Sequence, residues 1–199
     1  MEEVRFYSIK DEIRVIGIDD APFDLHRDKK TMIVGAIFRG GAFLDGVLRT
    51  EVEVDGTDST DKIIKMLSKT KHKDIRVIML DGLGFAGFNL VDVKRLFEET
   101  GLPVIVVVRQ MPDFLAIEEA VKKLANREFY RKCIRIAGKP NRVEIRPGKF
   151  IHIQCCGISF LDAAKIVRLS STRSLIPEPI RVAHLIATGV TLGESRGGA

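Results

Sequence analysis

A chain of 199 residues with 45% hydrophobic content can bury one real core, and no apolar run approaches the length of a membrane span. Its 32 Lys and Arg against 27 Asp and Glu leave a formal charge of +5, a mild excess compatible with a polyanionic partner but not diagnostic of one. The absence of Trp and the 7% aromatic content argue against base-stacking platforms as the main binding device. Cys133, Cys155 and Cys156 form neither an even disulfide framework nor a Cys-x-x-Cys zinc pair, and their apolar surroundings suit buried free thiols. The acidic opening Met1-Glu2-Glu3-Val4 has no signal-peptide character, so a cytoplasmic protein with no membrane partner is expected.

In chain order, residues 13–19 read as a buried strand ending in carboxylate, Ile16-Gly17-Ile18-Asp19-Asp20. Residues 31–38 and 42–54 flank Gly40-Gly41, a hairpin signal, and the second arm alternates so that one face is wet. Three antiparallel strands therefore open the fold. A helix follows over 59–70, with Ile63, Ile64, Met66 and Leu67 inward and Lys62, Lys65 and Lys69 outward. Next come a strand over 75–80, a helix over 89–99, a strand over 103–108 and a helix over 112–125. Strict helix–strand alternation there implies parallel pairing with right-handed crossovers. Strands over 132–137, 142–146 and 149–155 and helices over 159–170 and 178–188 complete the chain, and residues 193–199 read as a frayed tail. Without repeats or linkers, residues 1–199 read as a single domain.

Val77-Ile-Met-Leu-Asp81-Gly-Leu-Gly is the most informative stretch, four apolar residues that stop on a carboxylate where parallel sheets build their sites. If the strands ending at Asp19 and Asp81 are neighbours, the two carboxylates converge, and a divalent cation is the usual reason. Asp58 and Asp61, at the start of the first helix, are the nearest candidates for a third ligand, although Asp58-Ser-Thr-Asp61 also has the spacing of a helix cap. Asp20 is either a further ligand or a solvated neighbour. Arg109 ends the last parallel strand, where it could stabilise charge on a phosphate or pair with a site carboxylate. Gly82-Leu-Gly84-Phe-Ala-Gly87 matches a dinucleotide fingerprint, but Asp81 would repel a pyrophosphate and the opening strands are foreign to a doubly wound sheet. His26, His72, His152 and His184 share no ligand spacing and read as surface or core.

The element order is that of the ribonuclease H-like fold, which implies a mixed five-stranded core sheet flanked by helices, with extra C-terminal strands and helices. That architecture sets the first and fourth strands side by side. Several segments resemble the endonuclease V family: Ile16-Gly-Ile-Asp19 and Val77-Ile-Met-Leu-Asp81-Gly, each ending on a metal-binding Asp in that family, and Leu102-Pro-Val-Ile-Val-Val-Val-Arg109, ending on its catalytic Lys. A late segment, Thr172-Arg-Ser-Leu-Ile-Pro177-Glu178-Pro179-Ile-Arg181-Val-Ala-His184, resembles the family's Arg-Leu-Pro-Glu-Pro-x-Arg-x-Ala run. The chain is more similar still to an archaeal relative, the endonuclease dU family. The resemblance implies a Mg²⁺- or Mn²⁺-dependent endonuclease of DNA repair type, acting on nucleic acid, DNA ahead of RNA, at deaminated or damaged bases. Asp19, Asp81 and Asp61 or Asp58 would bind metal and Arg109 would steady the phosphate. Departures are visible: Arg109 replaces the Lys, a shorter Asp replaces the Glu, and no Pro-Tyr-Ile-Pro wedge occurs in 43–57. The family's late Gly-His is expected to fall on Cys155-Cys156-Gly157, leaving no histidine there. The alternatives are a nucleic-acid-binding protein of the same fold that has lost its chemistry, and a dinucleotide-dependent enzyme using Gly82, Gly84 and Gly87.

Overall fold

The computed structural model describes residues 3–195. Strands β1 (Arg14–Asp20), β2 (Lys30–Arg39) and β3 (Phe43–Glu53) form the opening antiparallel meander. Helix α1 (Ser59–Lys69) leads to β4 (Val77–Asp81), a small hairpin β5 (Gly84–Phe85) and β6 (Asn89–Leu90), helix α2 (Val93–Thr100) and β7 (Val104–Val108). Helices α3 (Phe114–Lys122) and α4 (Arg127–Ala137), strands β8 (Asn141–Arg146) and β9 (Lys149–Cys156), and helices α5 (Phe160–Ser170) and α6 (Glu178–Leu192) follow. The strands β3-β2-β1-β4-β7-β9-β8 make one 7-stranded sheet. The expected mixed core is its first part, with β1, β4 and β7 parallel, and the C-terminal hairpin extends that sheet by antiparallel pairing of β9 with β7.

Strand alternation sorts the core into two layers. Val15, Val77, Met79, Ile105 and Val107 point to one face and pack with Ala163, Ile166, Ile180 and Ala183 of α5 and α6. Ile16, Ile18, Ile78, Leu80, Val104 and Val106 point to the other and pack with Ile63 and Met66 of α1 and Leu96 of α2. Because the sheet is covered on both faces, these strands are apolar at consecutive positions, the pattern that made them legible.

Several boundaries differ from expectation, and the helix expected over 112–125 spans only Phe114–Lys122. Residues 132–137 are not a strand but the end of α4. Their Ile134 and Ile136 suit a strand, yet Tyr130, Cys133 and Ala137 lie buried at helical spacing, with Tyr130 and Cys133 in a small cluster beside Leu90 and Val121. Helix α2 begins at Val93, capped by the Asp92 carboxylate accepting from Arg95 N–H, so residues 89–92 belong to the hairpin and its exit. Helix α6 runs on to Leu192 and stops at Gly193, whose left-handed backbone (φ 80°) donates its N–H to Gly189 O. Of the expected frayed tail, residues 196–199 lie outside the described residues. No disulfide joins the cysteines, as expected, but the expectation of buried thiols in strands holds only in part: Cys133 lies in α4 and Cys155 in β9 is half-buried, and burial pushes both up to about 12.

Candidate active site

β1 and β4 pair in parallel with Gly17 opposite Met79 and Ile18 opposite Leu80, which sets Asp19 beside Asp81 at the carboxyl edge. Asp81 in turn lies opposite Val107 of β7. Two residues on, Arg109 returns to the same face by strand alternation, and its Nη2 lies 3.5 Å from Asp81 Oδ2. Asp19, Asp81 and Arg109 thus project on the face covered by α6. Together with Asp20, Pro22, Phe23 and His184 they line an open recess of about 520 Å³.

The approach of α6 depends on Gly17. Any Cβ at that position would overlap the carbonyl carbon of Pro179 and the nitrogen of Ile180, so only glycine lets the start of α6 lie directly on β1. The Pro177-Glu178-Pro179-Ile180-Arg181 segment is the start of this helix. Glu178 is buried in its first turn, where a carboxylate meets the positive helix end, and accepts from Arg181 Nη2 at 2.6 Å and from Arg173 N–H at 3.2 Å. One turn beyond Ile180, His184 hangs over the carboxylates, with Nδ1 2.8 Å from Asp19 Oδ2. His184 was expected to be surface or core, and the structure corrects this. The available signal was its place one helical turn past a residue that seats on Gly17; a scan for ligand spacing along the chain misses a partner 165 positions away. Cys155-Cys156-Gly157 holds no histidine, and the histidine that meets Asp19 comes from α6.

Burial and the adjacent charges of Asp81 and Asp20 push Asp19 up to about 8, against which the Asp20 N–H and Arg109 act only partly. Burial also raises Asp81, with Arg109 and His184 opposing. The hydrogen bond between Asp19 and His184 suits either state of the acid, the imidazole donating when Asp19 is ionised and accepting when it is protonated. Asp20, also at the recess, is engaged by the neighbouring hairpin. Its Oδ2 accepts from Ala86 N–H at 2.6 Å, holding the tip of the β5–β6 hairpin where Ala86 has φ 48°.

The structure does not bring Asp58 and Asp61 into this recess. Asp58 accepts from Glu53 N–H at 3.1 Å and from Asn89 Nδ2 at 2.7 Å, and its side chain makes no cap bond to α1. Capping comes instead from across space, as Asn89 Oδ1 accepts from Ser59 N–H at 2.9 Å. Asp61 is paired with Arg95 at 2.5 Å on the exposed surface between α1 and α2. Local spacing placed both at a helix start and could not reveal which way that start faces. Nor does the glycine loop form a dinucleotide cradle: Gly84 lies in β5, and α2, capped by its own Asp92, begins beyond the hairpin.

Among the described residues, no set of three or more His, Cys, Asp or Glu side chains is already arranged as a metal-ligand cluster. The donor chemistry at Asp19 and Asp81 still fits Mg²⁺ or Mn²⁺, which take hard oxygen ligands from one or two carboxylates and leave other positions to water and phosphate. Two raised carboxyls side by side are a configuration that a cation relieves.

A mixed sheet of this order, flanked by helices, is similar to the fold of endonuclease V structures. The Bacillus subtilis endonuclease V structure superposes with a TM-score of 0.61 at 14% identity, over 91% of this chain and 81% of its own. A Ciona intestinalis endonuclease V, solved in complex with a 24mer DNA containing an inosine followed by a ribo-adenosine, gives a TM-score of 0.55 at 20% identity, covering 85% and 82%. More similar is an Archaeoglobus fulgidus protein of unknown function, with a TM-score of 0.80 and 40% identity over 89% of this chain and 97% of that one. The family model for endonuclease dU matches residues 11–191, so the chain belongs to the endonuclease dU family. A UPF0215 protein of Methanothermobacter thermautotrophicus is 54% identical over 201 residues, all of this chain and 98% of its relative. Among the described residues, no helix is long and apolar enough to cross a membrane.

Proposed function

We propose that this protein is a divalent-metal-dependent endonuclease that hydrolyses phosphodiester bonds in nucleic acid at deaminated or damaged bases, with DNA preferred over RNA. The observation that carries the reading is the side-by-side placement of Asp19 and Asp81 at one sheet edge, with Arg109 and His184 converging on them. Asp19 and Asp81 hold Mg²⁺ or Mn²⁺. The ion, when bound, lowers the pKa of a water and neutralises charge developing on the phosphate. Arg109 offers a planar, permanently charged fork to a phosphate oxygen, which a Lys would meet only as a point charge. His184, oriented by donating Nδ1–H to the ionised Asp19, takes up or returns a proton at its other ring nitrogen, Nε2. Pro22 and Phe23 on the recess wall give a displaced base an apolar surface, the role for which residues 43–57 hold no wedge. Membership of the endonuclease dU family and the inosine-containing complex of the Ciona intestinalis protein support a deaminated base as the target.

The test is cleavage of oligonucleotides carrying deoxyuridine, deoxyinosine or no lesion, with Mg²⁺ or Mn²⁺, by wild type and Asp81→Ala. Lesion-directed cleavage lost in the variant is expected. Absence of cleavage of any DNA or RNA by the wild type would defeat the proposal. A second reading, a nucleic-acid-binding protein of the same fold without chemistry, is favoured by the lack of a ready three-ligand cluster among the described residues. Mn²⁺ titration separates the two, because a degenerate site binds no better in wild type than in an Asp19→Ala, Asp81→Ala double variant.

A further inference from the structure

At the opposite end of β1 lies a larger recess of about 700 Å³ that the chemistry at Asp19 and Asp81 does not use. Arg14 to Asp19 spans five strand steps, so the two recesses are separated by roughly 16 Å of sheet. Its walls carry Arg5, Lys10, Arg14, Arg39, Lys73 and Arg76 against Glu12 and Asp74. Both acids are engaged, Asp74 with Arg14 and Glu12 with Arg39. Among the described residues, Arg5, Lys10, Lys73 and Arg76 have no carboxylate at ion-pair distance, and all four are exposed.

The segment bearing Arg5 and Tyr7 is pinned in place. Val4 N–H donates to Gly157 O at 2.9 Å, Ile9 and Ile13 are buried in the core, and Phe6 packs against that core beneath Arg76, whose guanidinium lies 5.8 Å from the ring centre. Arg5 and Tyr7 both face solvent, and Tyr7, 99% exposed, lines the recess. A bare ring on a tethered segment, amid four cations without a carboxylate partner, is the pairing that takes a base by its face and a backbone by its charge.

We propose that this recess is a second binding site, which takes a single-stranded nucleic-acid segment through its phosphates on Arg5, Lys10, Lys73 and Arg76 and one unstacked base on Tyr7. The site goes beyond the nuclease reading and does not require it. It also refines the composition argument: aromatics are few, but one of them stands where stacking is possible. The test uses the full chain carrying Asp19→Asn and Asp81→Asn, with a labelled single-stranded oligonucleotide containing 5-iododeoxyuridine. Ultraviolet crosslinking should join the probe to the peptide holding Tyr7. Tyr7→Ala should weaken binding about tenfold. For four phosphate contacts the log affinity should fall with log salt at a slope of about −0.7 per contact, and Arg5→Ala with Arg76→Ala should make that slope shallower by about 1.4. All three substituted side chains are exposed, and circular dichroism checks that the variants fold. Unchanged affinity, slope and crosslink in the recess variants would overturn the proposal. So would loss of binding through the charges alone with Tyr7→Ala silent, which marks a simple polyanion site, or equal competition by adenosine monophosphate per nucleotide, which marks a free-nucleotide site. Failure of cleavage or of Mn²⁺ binding at Asp19 and Asp81 leaves these readouts untouched, so the two proposals fail separately.

Discussion

Asp92 and Asp19 are both buried carboxylates, 3% and 5% exposed, yet they behave in opposite ways. Burial works against charge at Asp92, but the Arg95 N–H at its helix cap and the Lys132 ammonium at 2.9 Å outweigh it and hold the group below its usual range. At Asp19 burial is joined by two neighbouring aspartates and is opposed weakly, so the group rises to about 8. The Asp58 carboxylate also has donors in place, accepting from Glu53 N–H and Asn89 Nδ2. The lesson is that a carboxylate's role is set by what donates to it. Donors already in place mark structure, while crowded acceptors mark a place for a cation.

The largest expected effect tests the crowded pair. Asp81→Ala should lower Mn²⁺-dependent cleavage by more than about 100-fold, since loss of even an outer partner of a metal ligand costs 10–100-fold, and Mn²⁺ should no longer raise the melting temperature. His184→Ala should lower cleavage by about 100-fold and alter the pH–rate profile, the usual signature of a lost proton-transfer group. Gly17→Val should cost about 1–3 kcal/mol in a denaturant titration and lower cleavage too, because it lifts α6 and His184 from β1.

Next comes pH. Asp19 binds its proton more tightly folded (about 8) than unfolded (3.8), so its own contribution to stability is fully present below pH 4 and is lost as pH rises through about 8. Asp19→Asn should therefore melt higher than wild type in metal-free buffer at pH 8, with the gap closing toward pH 4. Each kcal/mol would appear as about 2–4 °C in a chain of this length. Mn²⁺, which needs the ionised pair, should protect wild type more at pH 8 than at pH 5. The smallest effects sharpen the contrast from the other side. Asp58→Ala should cost about 1 kcal/mol and Asp61→Ala less, with Mn²⁺ affinity unchanged in both. A loss of Mn²⁺ binding in either would break the division between filled and crowded carboxylates.

Much of the fold was legible because its strands are buried on both sides and its helices are amphipathic. The runs ending at Asp19, Asp81 and Arg109 stand out as apolar blocks with a charged stop, and that local pattern survives in any tertiary context. Residues 132–137 were misread because β-branched Ile134 and Ile136 argue for a strand, while burial of Tyr130, Cys133 and Ala137 along one helical face decides otherwise. That His184 meets Asp19, and that Asp58 and Asp61 lie outside the recess, is hidden from the sequence for one shared reason. Distance along the chain is a poor guide to which side chains meet.

By itself the sequence determined the register of charge against strand: carboxylates at the ends of β1 and β4, an arginine at the end of β7, and glycine at position 17. Only the tertiary structure decided which acids stay crowded and which are filled. Donation from Ala86, Asn89 and Lys132, and the seating of α6 on Gly17, join groups far apart in the chain, and no local periodicity encodes where a distant backbone N–H or imidazole comes to rest.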